Sequence, residues 1–140
     1  MLTLPPGHVA YDMRRGGRLG EAPRLALRLE GTEPVLLAIA PARLPAPSLA
    51  APPSARAGEV VELRLALAGR SPAGPQTLRL DVTDPAGRRH DAYSGAVTLR
   101  DGRATQPLPF AAGDAPGLWR IQATDVLTGA ADIATIAVAP

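Results

Sequence analysis

His90 and Ser94, with Asp91 between them, are the residues of this chain whose types nominally make up a nucleophilic triad. A triad works only when the imidazole reaches the hydroxyl, and an extended strand over these residues would hold the two about 13 Å apart. That spacing argues against shared chemistry. The other imidazole, His8, stands alone, and neither histidine falls in an H-x-H or H-E-x-x-H pattern that would grip a metal. Both read as polar surface residues. Asp84, Asp114, Asp125 and Asp132 are the carboxylates that could act as a glycosidase pair, which needs two groups about 5 to 9.5 Å apart in a cleft. Asp114 with Asp125 or Asp132 could alternatively bind calcium through loop oxygens, although no D-x-D-x-D-G density accompanies them. Each lies beside proline, glycine or a loop, so turn formation through bonds to nearby backbone amides accounts for them without catalysis. No catalytic, cofactor-binding or metal-ligating residue is assigned, and the chain is expected not to be an enzyme.

Charge and aromatic content bear on partners. The densest positive patches are Arg14, Arg15 and Arg18, and Arg88-Arg89-His90. Nucleic-acid binding would interleave aromatics with such patches for stacking, yet only Tyr11 and Tyr93 are near, and the net charge is just +2. Solvated turn charge is the reading adopted, with no nucleic acid as partner. Aromatic residues make up 3 % of the chain, which disfavours a glycan-binding platform of exposed rings. No apolar run approaches the roughly 18 residues that span a bilayer, and the absence of cysteine excludes disulfides. The first residues lack the charged and apolar regions of a signal peptide.

These side chains must be positioned by strands, because no window sustains a helical period. Sixteen prolines and 14 glycines punctuate the chain, with turns at near-regular spacing from Gly58 onward, the pattern of an all-β sandwich or barrel. Val61, Leu63, Leu65 and Leu67 alternate with polar or small residues, and so do Leu78, Leu80 and Val82. Asp84-Pro-Ala-Gly87 predicts a tight turn, with Arg88 to Tyr93 returning from it. Val97 and Leu99 form a short strand, and Asp101-Gly102 signals a hairpin into Ala104 to Phe110. Trp119, Ile121 and Ala123 share one face of a further strand, which makes Trp119 a core residue, and Ile133 to Val138 closes the chain. With an edge strand at Leu49, about seven strands follow residue 47.

The first third predicts three strands. His8 to Arg14 and a turn at Arg15-Gly-Gly-Arg18 read as a hairpin, Arg24 to Glu30 repeats the two-residue period, and a reversal at 31–33 leads into apolar Val35 to Ala40, which something must cover. Five prolines between Pro41 and Pro53 mark the boundary. The organisation expected is a β-hairpin or meander segment over 1–45 and an antiparallel β-sandwich over 46–140.

Gly58-Glu-Val-Val, Leu80-Asp-Val-Thr-Asp-Pro-Ala-Gly87, Tyr93, Gly117-Leu-Trp-Arg-Ile and Thr124-Asp-Val-Leu-Thr-Gly129 together resemble bacterial immunoglobulin-like and macroglobulin-type β-sandwich modules over about residues 48 to 140. Val9 to Gly20 with Glu33 to Pro41 looks like the last strands of a β-domain that follows the catalytic barrel of glycosidase-like proteins. The resemblance implies an accessory module of a larger secreted bacterial protein, carbohydrate-active in kind and extracellular or periplasmic. The partners expected are neighbouring domains or a protein, a homo-oligomer included, with a glycan as the alternative and no cofactor.

Overall fold

The computed structural model describes residues 1–31, 33–69 and 74–140, and every regular element in them is a β-strand. Five short strands occupy the N-terminal third: β1 (Leu2–Thr3), β2 (Val9–Asp12), β3 (Arg18–Gly20), β4 (Arg24–Leu25) and β5 (Leu37–Ala40). Eight follow: β6 (Pro47–Ala50), β7 (Ser54–Arg56), β8 (Val60–Leu67), β9 (Gln76–Thr83), β10 (Gly95–Leu99), β11 (Arg103–Pro109), β12 (Gly117–Asp125) and β13 (Ala131–Ala139).

The larger part is a sandwich of two layers. One sheet runs β10-β9-β12-β13-β7 and the other β11-β8-β6. Alternation in the sequence decides which side chains fall between them. Leu63 and Leu65 of β8, Leu78, Leu80 and Val82 of β9, Leu99 of β10, Trp119 and Ile121 of β12 and Ile136 of β13 are all buried in one core. Burying such side chains drives the layers together. Prolines sit where a missing N–H is harmless: Pro47 on the edge strand β6, Pro107 and Pro109 on the edge strand β11.

Several details differ from the sequence-based expectation. An eighth strand, β7, emerges from the proline-rich boundary and pairs parallel with β13, so the layers are five and three strands rather than a seven-stranded, wholly antiparallel immunoglobulin-like sandwich. Ala137 N–H donates to Pro53 O and Ala57 N–H to Ala139 O at the two ends of that pairing. The Asp101-Gly102 signal is locally right: both residues have positive φ, 51° and 74°, and Arg100 and Arg103 exchange two backbone bonds of 3.0 Å. Pairing then stops, because β10 belongs to the five-stranded sheet and β11 to the other. The turn is a corner between layers. Residues 88–93 form no returning strand but a single bridge, Thr83 to Arg89, followed by turns.

Of the three strands expected near the N-terminus, β2 and β5 form most of two and pair with each other, with β3 on β2's other side. Arg24 to Glu30 is strand only at Arg24–Leu25, where β1 offers a two-residue partner; beyond it Leu27 and Leu29 lack a ladder. The reversal at 31–33 has its central residue, Thr32, outside the described residues. Val9, Tyr11 and Ala40 form a second small core, backed by Ala38 and Leu44.

Candidate functional site

Asp84, His90, Ser94 and Asp114, all considered for chemistry, lie together at one end of the sandwich, where the turn after β9 faces the loop before β12. Asp84 is buried and accepts on Oδ1 from the backbone N–H groups of Ala86 and Arg88, each at 2.9 Å. Its Oδ2 takes Arg88 Nε at 2.9 Å and Nη2 at 2.8 Å, with His90 Nε2 at 3.3 Å. The His90 ring lies 4.8 Å from the Trp119 ring centre and stacks on Tyr93 at 5.7 Å. It is therefore packed on aromatics, not a free surface histidine as expected. Tyr93 donates its hydroxyl to Asp114 Oδ2 at 2.6 Å, and both oxygens accept from Ala111 N–H.

This cluster ties loops together. Ser94 is close to His90 after all, because residues 90–94 turn instead of extending, but the contact is with the wrong atom. Ser94 Oγ donates to the His90 carbonyl at 2.7 Å and accepts from Val82 N–H at 3.0 Å, so the imidazole is not the base for that hydroxyl in this arrangement. Arg89 is held by Asp81 at 2.8 Å and by Asp91. Both arginines of that positive patch are thus engaged by carboxylates.

Asp84 is held down at a pKa of about 2, first by the Arg88 backbone N–H, against the opposing effect of burial, then by the Arg88 guanidinium and His90. A carboxylate with a depressed folded-state pKa stabilises the fold above its unfolded value and loses that contribution as pH falls through the folded one. Asp84 therefore supports the fold fully above about pH 4, and this support fades toward about pH 2. Asp81 adds to the same trend: burial pushes it up, but hydrogen bonds from Arg89 and Arg79 hold it below the usual range. Urea midpoints measured from neutral to acid pH are expected to fall less steeply for Asp84→Asn than for the parent. Parallel curves would show that the turn does not depend on this charge. Tyr93 moves the other way, raised by burial and by Asp114.

A cleft elsewhere was not foreseen from sequence. A cleft of about 460 Å³ lies between the N-terminal sheet and the sandwich, lined by Tyr11, Arg18, Arg43, Leu44, Ala46 and Thr128 among others. Its walls come together because two turns meet: Gly17 N–H donates to Thr128 O at 2.7 Å, and Gly16 Cα lies 2.9 Å from where a Cβ on Gly129 would stand. A β-bulge shapes one wall. Ala10 pairs with Gly20 but Tyr11 with Arg18, leaving Leu19 as the extra residue, so Arg18 is the residue that stands beside Tyr11. The sequence showed the glycines and Arg18 but not the register shift that aims them. Arg43 carried no signal, lying alone between prolines.

The remaining residues scatter. His8 Nδ1 contacts Pro6 O at 3.1 Å. Asp125 accepts from Leu127 N–H in the turn it was expected to form, while its other oxygen and Gln76 Oε1 are buried without a partner among the described residues. Asp132 lies within β13 rather than a loop and accepts from Leu49 N–H at 2.8 Å, joining the two layers. Arg14 and Arg15 present backbone N–H groups to Asp12. Among the described residues no three of His, Asp and Glu gather at metal-binding distance, and no helix is long and apolar enough to cross a membrane. All four aromatic rings are at least partly buried, with Trp119 0 % exposed.

No protein family matches the chain, and no curated protein does either. Among solved structures, one that is similar is a superoxide reductase (neelaredoxin) from Ignicoccus hospitalis, 17 % identical, covering 67 % of this chain and 80 % of that one with a TM-score of 0.49. Two expectations are corrected by this. The likeness to immunoglobulin-like, macroglobulin-type and glycosidase-associated modules is withdrawn, since the turn and strand motifs behind it are common to many β-folds and the neighbour found is of a different family. The expectation that the chain is no enzyme is withdrawn with it, because that neighbour is by its title an enzyme; at this identity and TM-score it assigns no activity here.

Proposed function

We propose that the chain is an interaction module in which the N-terminal sheet, carried on the sandwich, docks on protein through the edge strand β5. The observation that carries this reading is the free apolar edge. In the order β3-β2-β5 the last strand has a partner on one side only among the described residues. Its sequence, Leu-Ala-Ile-Ala, contains none of the charges or prolines that natural proteins place on edges to block pairing. Leu36 and Ile39 are 54 % and 47 % exposed there, with Val35 beside them. An extended segment laid against β5 would satisfy its outward backbone groups and cover those side chains together.

A second copy of this chain is the first partner to test, since it brings an identical edge. Sedimentation velocity over a range of concentrations is expected to show reversible association that Leu36→Asp with Ile39→Asp abolishes while the unfolding free energy stays within about 0.5 kcal/mol of the parent, as for exposed substitutions. A parent chain that remains monomeric throughout, or a double variant that associates equally, would count against β5 as the docking edge.

A further inference from the structure

We infer that the cleft between the N-terminal sheet and the sandwich binds a small organic anion, a phosphate or carboxylate group on an apolar body. The argument rests on what lines it. Two guanidinium groups, Arg18 and Arg43, border a space of about 460 Å³ whose lining residues include no aspartate or glutamate. That size falls within the range of roughly 300–1,000 Å³ usual for small-molecule sites. Arginine presents a planar fork of N–H donors that matches the paired oxygens of a carboxylate or phosphate.

The two arginines are available for such a ligand. Among the described residues no carboxylate pairs with Arg43. Arg18 has one, Glu21 at 3.2 Å, in a pair whose side chains are 42 % and 62 % exposed; solvent screens a contact of that kind, so an anion in the cleft can compete with it. Tyr11 adds a third donor. Its buried hydroxyl already accepts from Leu44 N–H at 2.8 Å, so what it has left to offer is its proton, for which no acceptor is present among the described residues. Leu44, Pro45 and Ala46 supply an apolar side, which favours an organic anion over a bare inorganic one. The β-bulge at Leu19 places Arg18 rather than a leucine next to Tyr11, and bulges recur where a strand re-aims a side chain at a site.

The probes are phenyl phosphate and benzoate, titrated separately at fixed ionic strength into the full chain labelled with ¹⁵N. The expected result is saturable shifts confined to amides around the cleft, those of Tyr11, Leu44, Thr128 and Ala130, with the stronger probe identifying the acid group preferred. Arg43→Gln is expected to weaken that binding by about tenfold or more, with the amide spectrum otherwise preserved. Arg120→Gln, which removes an exposed arginine bonded to Gln122 toward the opposite end of β12 from Thr128, is expected to leave affinity unchanged. Shifts that never saturate, that spread over surface arginines in general, or that persist unchanged in Arg43→Gln would overturn the inference.

Discussion

Trp119→Ala is expected to lower the unfolding free energy by about 3–5 kcal/mol, the range for truncating a large buried aromatic. Against a total of roughly 5–15 kcal/mol for a domain, that is a large share of the stability to lose at one residue. The position explains it. β12 is an inner strand, laddered to β9 on one side and β13 on the other, so neither neighbour can shift to fill a cavity without breaking its own register. The ring meets Phe110 at 5.3 Å and Tyr93 at 5.9 Å as well as His90. Its Nε1–H donates to Ala115 O at 2.9 Å, which fastens the loop before β12. Trp119→Phe keeps an aromatic in the pocket but loses volume and that bond, and should recover part of the loss. Urea unfolding followed by far-ultraviolet circular dichroism measures both variants without relying on the deleted fluorophore. A loss under about 1 kcal/mol for the alanine variant would mean the site collapses freely, contrary to close packing.

Trp119 is legible in the sequence because alternation is a local property. Ile121 and Ala123 two and four residues on, with Arg120, Gln122 and Thr124 between, state which face is wet. The same holds for β8 and β9, and it is why the core of the sandwich could be named residue by residue. Partners across space are not local. Nothing in Pro52-Pro53-Ser54 shows that the next residues will run parallel to a strand more than 70 positions later, and Asp101-Gly102 encodes its turn while leaving open whether the arms stay paired. The arms part here because each finds another partner, β10 on β9 and β11 on β8, and Leu99 and Leu108 then enter the one core from opposite layers.

The candidate site divides in the same way. Asp84-Pro-Ala-Gly87 predicts a turn with an aspartate bonding its own backbone, and Ala86 and Arg88 N–H are the groups it binds. That Arg88 also folds back on the same carboxylate, or that His90 lies against Trp119, depends on how the turn packs on β12. His90 with Ser94 shows the limit from the other side. A correct list of residue types and even a short separation yielded a hydroxyl on a carbonyl, because the conformation of the intervening residues decides which atoms meet. The cleft depends on still longer-range geometry. It needs residues near 11, 18, 43 and 128 at once, and only the docking of two glycine-containing turns brings them together.

That docking yields the second large effect. Gly129→Ala is expected to cost about 1–3 kcal/mol and to release the N-terminal segment from the sandwich. Two penalties combine. Gly129 has φ of +72°, a conformation in which a Cβ is strained. The added carbon would also stand 2.9 Å from Gly16 Cα and 3.3 Å from Gly17 N. Those are backbone atoms, unable to swing aside as a flexible side chain would, so the turn at Gly16-Gly17 must retreat and the Gly17 to Thr128 bond with it. Gly7→Ala separates the two penalties, since Gly7 has a similar φ of +74° but open space around it. Limited proteolysis of the proline-rich stretch 41–46 reports the release directly: cleavage should accelerate in Gly129→Ala and stay at the parent rate in Gly7→Ala. Equal acceleration in both would assign the effect to backbone strain and not to the contact between turns. Because Thr128 and Ala130 line the cleft, the same variant should also lose phenyl phosphate binding while retaining the two cleft arginines. The site then depends on how the two parts of the chain are joined, beyond the charges it holds.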